Sequence, residues 1–111
     1  MTIDEVTAID AVTLLDSGAY LLDVRNDDEW EAGRAPDAHY LTLSELSTRF
    51  SEVPTNVTIV AVCRAGGRSL KAAEFLASNG YTAVNLTGGM QAWEGAGLPV
   101  VDQHGATGSV I

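Results

Sequence analysis

The chain has 111 residues, of which 46% are hydrophobic, and its 15 acidic residues against six basic ones give a formal net charge of -9. This length and composition match one ordinary globular domain, and no apolar run approaches the roughly 20 residues that a membrane helix needs. The acidic balance argues against a broad surface for nucleic acid or for an anionic membrane. The N-terminus has no basic region followed by an apolar stretch, so we expect a cytoplasmic protein.

Short apolar runs alternate with helical patterns along the chain. In the first half, the predicted elements are a strand at 6–9, a helix with Asp10 as N-cap and Gly18 at its end, a strand at 20–24, a capped helical turn at 26–29, a strand at 39–41, and a helix that runs from a capping box at 42–45 to about Phe50. In the second half, they are a strand at 57–62, a helix from Ser69 to a C-cap at Asn79-Gly80, a strand at 83–86 and a short helix at 90–93.

The run at 57–62 is the strongest strand signal, because it is apolar, rich in β-branched residues and uninterrupted, and we predict it to be the central strand. Strands buried on both faces that alternate with helices are typical of a parallel sheet. We therefore predict an α/β fold with one open, mostly parallel sheet and helices on both faces. Residues 102–111 lack apolar periodicity, apart from Val110 and Ile111, so we predict a domain over 1–101 followed by a mobile tail.

The chain has a single cysteine, Cys63, and this limits the kinds of site that the chain can form. One cysteine cannot form an internal disulfide, and thiolate metal sites usually need several cysteines. His39 and His104 have neither the spacing of metal ligands nor an evident relation to Cys63, so we predict no metal site and no cofactor. Cys63 is therefore either an inert core thiol or a reactive one, and its surroundings decide between them.

Directly after the predicted central strand comes Cys63-Arg64-Ala65-Gly66-Gly67-Arg68, followed by Ser69 and the next helix. Ligands of open α/β sheets bind at the carboxyl ends of the strands, where a loop entering a helix collects inward-pointing backbone N–H groups. The two glycines permit the backbone angles of such an anion-binding loop, and Arg64 and Arg68 add positive charge. These features favour the thiolate, so we expect the pKa of Cys63 to lie below the free value of about 8.5.

Arg25 follows the predicted strand at 20–24 and has acidic neighbours in the sequence. It could bind a substrate anion, but a structural ion pair that holds the loop is the preferred interpretation. We therefore give Asp23 and Arg25 a supporting role. Trp30 and Trp93 lie among small apolar residues, and core packing or a pocket wall is preferred for them over cofactor stacking.

The cysteine loop resembles the active-site loop of the rhodanese-family sulfurtransferases, which has four residues between cysteine and arginine. Further blocks of the chain resemble the family in the same order: Leu22-Asp23-Val24-Arg25, Glu29-Trp30-Glu31-Ala32-Gly33 with Ala35-Pro36, Gly88-Gly89-Met90-Gln91-Ala92-Trp93, and Gly97-Leu98-Pro99-Val100. The family usually has Gly-His-Ile-Pro-Gly-Ala where this chain has residues 33–38, in which Arg34 replaces the histidine and Asp37 replaces a glycine.

The resemblance implies a thiosulfate sulfurtransferase with Cys63 as its nucleophile. The cysteine would take sulfur as a persulfide from thiosulfate or a similar small anionic donor and pass it to a thiol, cyanide or a protein cysteine. The residues implied to hold the donor and the persulfide are Arg64, Ala65, Gly66, Gly67, Arg68 and Ser69. Two alternatives remain. One is a phosphatase or arsenate reductase, and it is disfavoured because the related cell-division-cycle phosphatases have five residues in the loop. The other is a non-catalytic interaction module, and it is disfavoured because rhodanese-like modules of that kind can lack the cysteine that is present here.

Overall fold

Five strands and five helices alternate along residues 2–111, which are the residues that the computed structural model describes. The strands are β1 (Asp4–Val6), β2 (Tyr20–Asp23), β3 (His39–Tyr40), β4 (Thr58–Val62) and β5 (Thr82–Leu86). The helices are α1 (Ala8–Asp16), α2 (Asp27–Ala32), α3 (Leu43–Arg49), α4 (Gly67–Ser78) and α5 (Gly89–Gly95), and a 3-10 turn at Phe50–Glu52 follows α3.

The strands form one open sheet in the order β1-β5-β4-β2-β3, and every strand pairing within residues 2–111 is parallel. The predicted α/β class with an open parallel sheet is confirmed, and β4 is the central strand as predicted. Because all the strands run in one direction, their carboxyl ends lie at the same edge of the sheet. The residues that follow β2, β4 and β5 therefore meet there.

Two hydrophobic clusters lie on opposite faces of the sheet. Alternate residues of β4 point to opposite faces, so Ile59 and Ala61 pack in one cluster and Val60 and Val62 in the other. Helices α3 and α4 contribute to the first cluster, whereas α1 and α5 contribute to the second. The predicted helical layers on both faces are therefore present, and β4 is fixed from both sides.

The start of the chain differs from the prediction. The first strand is β1 at Asp4–Val6 rather than 6–9, and Thr7 rather than Asp10 is the N-cap of α1. The Thr7 hydroxyl accepts a hydrogen bond from the Asp10 backbone N–H at 3.1 Å. Asp10 lies instead in the first helical turn, where an acidic side chain also stabilises a helix. β1 is a short and mostly exposed edge strand, so hydrophobicity did not reveal it.

The predicted capping box of α3 takes another form. Thr42 is the N-cap, but its side chain caps no backbone N–H group. The Thr42 hydroxyl instead lies 2.7 Å from Oε1 of Glu45 and donates to that carboxylate. Thr42 and Glu45 are therefore linked as predicted, but through a bond between their side chains instead of a bond from a side chain to a backbone N–H group.

The segment 102–111, for which the sequence predicts mobility, lies against the domain. Val101 forms antiparallel bridges with both Arg34 and Thr107, and the Ser109 backbone N–H donates to the Ala32 carbonyl at 2.9 Å. Its mobility in solution stays a prediction. Within residues 2–111, no helix has both the length and the hydropathy needed to cross a membrane.

Candidate active site

The Cys63 sulfur lies at the carboxyl end of β4, in the centre of the sheet edge, and the residue is 1% exposed. The Gly66 backbone N–H donates to Sγ at 3.1 Å, and Oγ of Ser69 lies 3.3 Å from the same atom. The loop 63–69 therefore folds around the sulfur and directs hydrogen-bond donors at it. This arrangement suits a sulfur that carries negative charge.

Gly66 makes this loop possible through its backbone conformation. Its φ is +116°, in the left-handed region that favours glycine, and it serves as the N-cap of α4. Gly67, the second glycine of the predicted anion-binding loop, does not have positive φ and forms the first residue of α4. The loop therefore requires the special freedom of glycine at 66 and not at 67.

Hydrogen bonds make the Cys63 thiol more acidic than an ordinary cysteine. Burial by itself raises the pKa of Cys63, but hydrogen bonds from the Ser69 hydroxyl and from the backbone N–H groups of Ser69, Gly66 and Ala65 outweigh it. The pKa consequently lies below its usual value, in the expected direction. The predicted loop donors are the main cause of this lowering, and the charge of Arg68 is also coupled to the sulfur.

Helix α5 holds the loop from its other side. The Met90 N–H donates to the Cys63 carbonyl at 2.7 Å, and the Gln91 N–H donates to the Arg64 carbonyl at 3.1 Å. Gly89, with φ of +58°, lies so close to these two carbonyl groups that a Cβ at this position would collide with both. The backbone of residues 63 and 64 is therefore fixed by the N-terminal turn of α5.

Arg68 forms a two-pronged ion pair with Glu29 across the site. Its Nη1 and Nη2 atoms donate to the two carboxylate oxygens at 2.7 and 2.9 Å, and the Arg68 side chain is 34% exposed. The hydrogen bond to Glu29 raises the pKa of Arg68, and the charge of the Cys63 sulfur adds a smaller contribution. Arg68 is thus within electrostatic reach of the sulfur while its guanidinium is held by α2.

Arg64 is exposed and points away from the sulfur. Its Nε donates to the Ile111 carbonyl oxygen at 2.7 Å. When the Gln91 amide oxygen faces Arg64, it accepts from Nη1 and Nη2 at 3.0 and 3.1 Å. The two arginines of the loop therefore occupy different places, with Arg68 beside α2 and Arg64 on the outer rim beside α5.

Asp23 and Arg25 form a buried ion pair beside the loop. Nη2 of Arg25 lies 2.8 Å from Oδ2 of Asp23 and 2.7 Å from the Gly33 carbonyl oxygen, and both charged side chains are fully buried. These contacts tie the end of β2 to the end of α2. Nη1 of Arg25 is buried and has no hydrogen-bond partner.

Asn85 and Glu29 also belong to the site, Asn85 through Ser69 and Gly66 and Glu29 through Arg68, although the sequence predicted neither of them there. Oδ1 of Asn85 accepts from the Ser69 hydroxyl at 2.6 Å, and Nδ2 donates to the Gly66 carbonyl at 3.0 Å. A polar residue within the apolar run of β5 was the available signal for Asn85. Glu29 had no local signal, since its partner Arg68 is 39 residues away in the chain.

The remaining candidates pack elsewhere. Trp93 is buried in the cluster beneath α1 and α5 and donates from Nε1 to the Pro99 carbonyl at 2.9 Å. Trp30 stacks on Tyr40, and the Arg34 guanidinium lies 4.4 Å above its ring. His39 stacks on Tyr20. Between residues 2 and 111, no cluster of His, Cys, Asp and Glu has the arrangement of a metal site.

Comparisons with known proteins agree with this fold. The chain is 41% identical to a sulfurtransferase of Allochromatium vinosum over 86 residues, which are 77% of this chain and 80% of that protein. It is 34% identical to YtwF of Bacillus subtilis over 84 residues, covering 76% and 82% of the two chains. The crystal structure of a rhodanese-related protein from Thermoplasma volcanium superimposes with a TM-score of 0.83 at 30% identity, covering 88% of this chain and 97% of that one.

The family comparison covers most of the chain. Residues 7–96 match the rhodanese-like domain. This stretch contains β2 to β5, although not β1, and it includes all the contacts made to the Cys63 sulfur. The chain therefore belongs to the family of rhodanese-like domains, which includes a protein named as a sulfurtransferase.

Proposed function

We propose that this protein transfers sulfur from thiosulfate, or a similar small anionic donor, to a nucleophilic acceptor through a persulfide on Cys63. The observation that carries the proposal is the sulfur of Cys63 enclosed by a loop whose Gly66 N–H and Ser69 hydroxyl lie within hydrogen-bond distance of it. Such donors stabilise a thiolate before the reaction and a persulfide anion after it.

The transfer proceeds in two displacements. The Cys63 thiolate attacks the outer sulfur of thiosulfate, a new sulfur–sulfur bond forms, and the old bond breaks with its electron pair leaving on sulfite. The acceptor, a thiol, cyanide or a protein cysteine, then attacks the outer sulfur of the persulfide. That sulfur–sulfur bond breaks, and its electron pair returns to Cys63 as the thiolate. The negative charge thus lies on Sγ of Cys63 in the thiolate and on the outer sulfur in the persulfide, and it returns to Sγ after the second displacement.

The arginines supply positive charge at two distances from the sulfur. Arg68 is electrostatically coupled to the Cys63 sulfur, and we assign it to the donor's sulfonate oxygens and to the persulfide. Arg64 is exposed on the rim, and we assign it to the arriving anion. The protein as a whole carries a charge of -9, so these local cations act against an unfavourable long-range field.

Intact-protein mass spectrometry after incubation with thiosulfate tests the proposal. A persulfide adds one sulfur atom, about 32 Da, at Cys63, and cyanide treatment should remove it again. Cys63→Ser should show no gain. If the wild-type protein gains no sulfur from thiosulfate or any other sulfane donor, sulfur transfer is excluded. If it instead hydrolyses an aryl phosphate efficiently, the phosphatase interpretation replaces it.

A further inference from the structure

Ser69 has one hydroxyl hydrogen and lies between two acceptors. Its Oγ is 2.6 Å from Oδ1 of Asn85 and 3.3 Å from Sγ of Cys63. Ser69 and Asn85 are 0% and 3% exposed, so this contact is made in the interior. Because a hydroxyl group donates one hydrogen bond, it serves either the amide oxygen or the sulfur fully, but not both.

The orientation of the Asn85 amide is fixed by its other end. Nδ2 lies 3.0 Å from the Gly66 carbonyl oxygen and 3.0 and 3.2 Å from the two carboxylate oxygens of Glu5. All three of these atoms are acceptors, so the nitrogen must face them. The oxygen must then face Ser69, where it is a permanent acceptor for the hydroxyl hydrogen.

The charge on the sulfur decides which acceptor receives the hydrogen. A neutral thiol is a weak acceptor, so the hydroxyl donates to Asn85, and the thiol hydrogen can itself point at Oγ of Ser69. When the thiol loses its proton to solvent, the sulfur becomes a charged acceptor, for which hydrogen bonds are stronger. The hydroxyl then turns to the sulfur, and its bond to Asn85 is lost.

We infer that Asn85 is a positioning residue that competes with the Cys63 sulfur anion for the hydroxyl hydrogen of Ser69. Formation of the thiolate therefore costs the bond between Ser69 and Asn85. The competition itself does not require that the protein transfers sulfur, whereas its effect on catalysis rests on the proposed function.

The charged groups around the sulfur do not change when Asn85 is replaced by an apolar residue. They include Arg68 on α4, Glu29 on α2 and the ion pair of Asp23 with Arg25 at the end of β2, with Glu5 of β1 on the far side of Asn85. A substitution from a neutral amide to a neutral hydrocarbon therefore tests the hydrogen bond and not a charge.

The test is the alkylation rate of Cys63 as a function of pH in Asn85→Leu, whose side chain is close to asparagine in size. Without the competing acceptor, the hydroxyl is free for the thiolate, and the pKa of Cys63 should fall by about half a pH unit to one pH unit. If Asn85 only held the loop in place, its loss would loosen the hydrogen-bond donors around the sulfur, and the pKa of Cys63 would rise. An unchanged or raised pKa overturns the inference.

A double-mutant cycle identifies the route of the effect. In a Ser69→Ala background there is no hydroxyl to share. The double variant Ser69→Ala/Asn85→Leu should therefore have the same Cys63 pKa as Ser69→Ala alone. An equal lowering in both backgrounds would show that the effect bypasses Ser69 and would overturn the inference. Thr87→Val is the matched control, since it removes another hydrogen bond to Glu5 and should leave the pKa of Cys63 unchanged.

Two further measurements keep the test decisive. If Asn85→Leu does not fold, as judged by its thermal unfolding, Asn85→Val carries the same expectation with a residue suited to a strand. The pKa cycle is also independent of the mass assay with thiosulfate. If no sulfane donor gives the 32 Da adduct but the double-mutant cycle gives the expected pKa values, sulfur transfer is excluded and the role of Asn85 stands. If the adduct forms but the pKa values do not follow the expectation, only the role of Asn85 is overturned.

Discussion

The loop around the Cys63 sulfur and the rim above it are built in different ways. Inside the loop, a backbone N–H group and the short side chain of Ser69 face the sulfur, and the backbone is set by Gly66 and by the turn of α5. On the rim, the long side chains of Arg64 and Arg68 are held by partners that are distant in sequence. The interior therefore depends on backbone angles, whereas the rim depends on the charge and the length of side chains.

The largest effect is expected inside the loop, from Gly66→Val. A Cβ at this position would have ordinary contacts, but φ of +116° is unsuited to valine, so the loop must change its backbone and turn the N–H away from the sulfur. Removing one well-placed donor costs about 10²–10³ in turnover, and we expect a loss of this order in sulfur transfer. Backbone strain of about 1–3 kcal/mol should lower the thermal unfolding temperature only moderately.

Gly67→Ala is the matched control for this comparison. Gly67 does not have positive φ, and a Cβ there would meet no atom within 4 Å. Its activity and its Cys63 alkylation profile should match those of the wild type, while the Gly66 variant should show a raised pKa because the sulfur loses a donor. If the two glycine variants have the same activity and the same Cys63 pKa, the positive φ of Gly66 is not what the loop depends on.

Arg68→Ala should have an intermediate effect, because Arg68 is the rim arginine that is electrostatically coupled to the sulfur. Loss of a charged hydrogen bond should lower turnover and raise the thiosulfate KM, together by about tenfold to a hundredfold in kcat/KM. Arg68→Lys should recover part of this loss, since lysine restores the charge without the planar two-pronged geometry. Arg49→Ala, which removes an exposed ion-paired arginine on α3, is the control in the same steady-state assay. Wild-type kinetics for Arg68→Ala would remove this arginine from the mechanism.

The smallest effect is expected for Arg64→Ala. Arg64 points to the rim and hydrogen-bonds to the Ile111 carbonyl, so it should assist the arrival of the donor without contacting the transferred sulfur. We expect a few-fold rise in the thiosulfate KM and an unchanged kcat, with a difference that shrinks as salt is added. A loss of kcat equal to that of Arg68→Ala would erase the distinction between the two arginines.

The sequence predicts best where the signal is local. The uninterrupted apolar run of β4 identified the central strand, and the glycines and helical pattern after Cys63 located the loop at its carboxyl end. Thr7 and Asp10 are both good N-cap residues three positions apart, so propensity did not decide between them. β1 is held mainly by its pairing with β5, which no local pattern encodes.

The partners within the site could not be predicted in the same way. Arg68 meets Glu29, and Ser69 meets Asn85, because the parallel sheet brings the ends of different elements to one edge. The spacing of arginine and cysteine indicated a favourable charge near the thiol but not the direction of the Arg68 side chain, whose guanidinium pairs with Glu29. Such directions depend on contacts between segments that are far apart in the chain.

Burial of the Cys63 sulfur has a consequence for redox behaviour between molecules. Two copies can form a disulfide only if their sulfur atoms approach to about 2.05 Å, which a cysteine that is 1% exposed at the base of a loop prevents. The outer sulfur of a persulfide would lie about 2 Å beyond Sγ of Cys63. The fold would thus protect its own thiol from covalent dimerisation while presenting the sulfur that it carries to acceptors with a protruding nucleophilic atom.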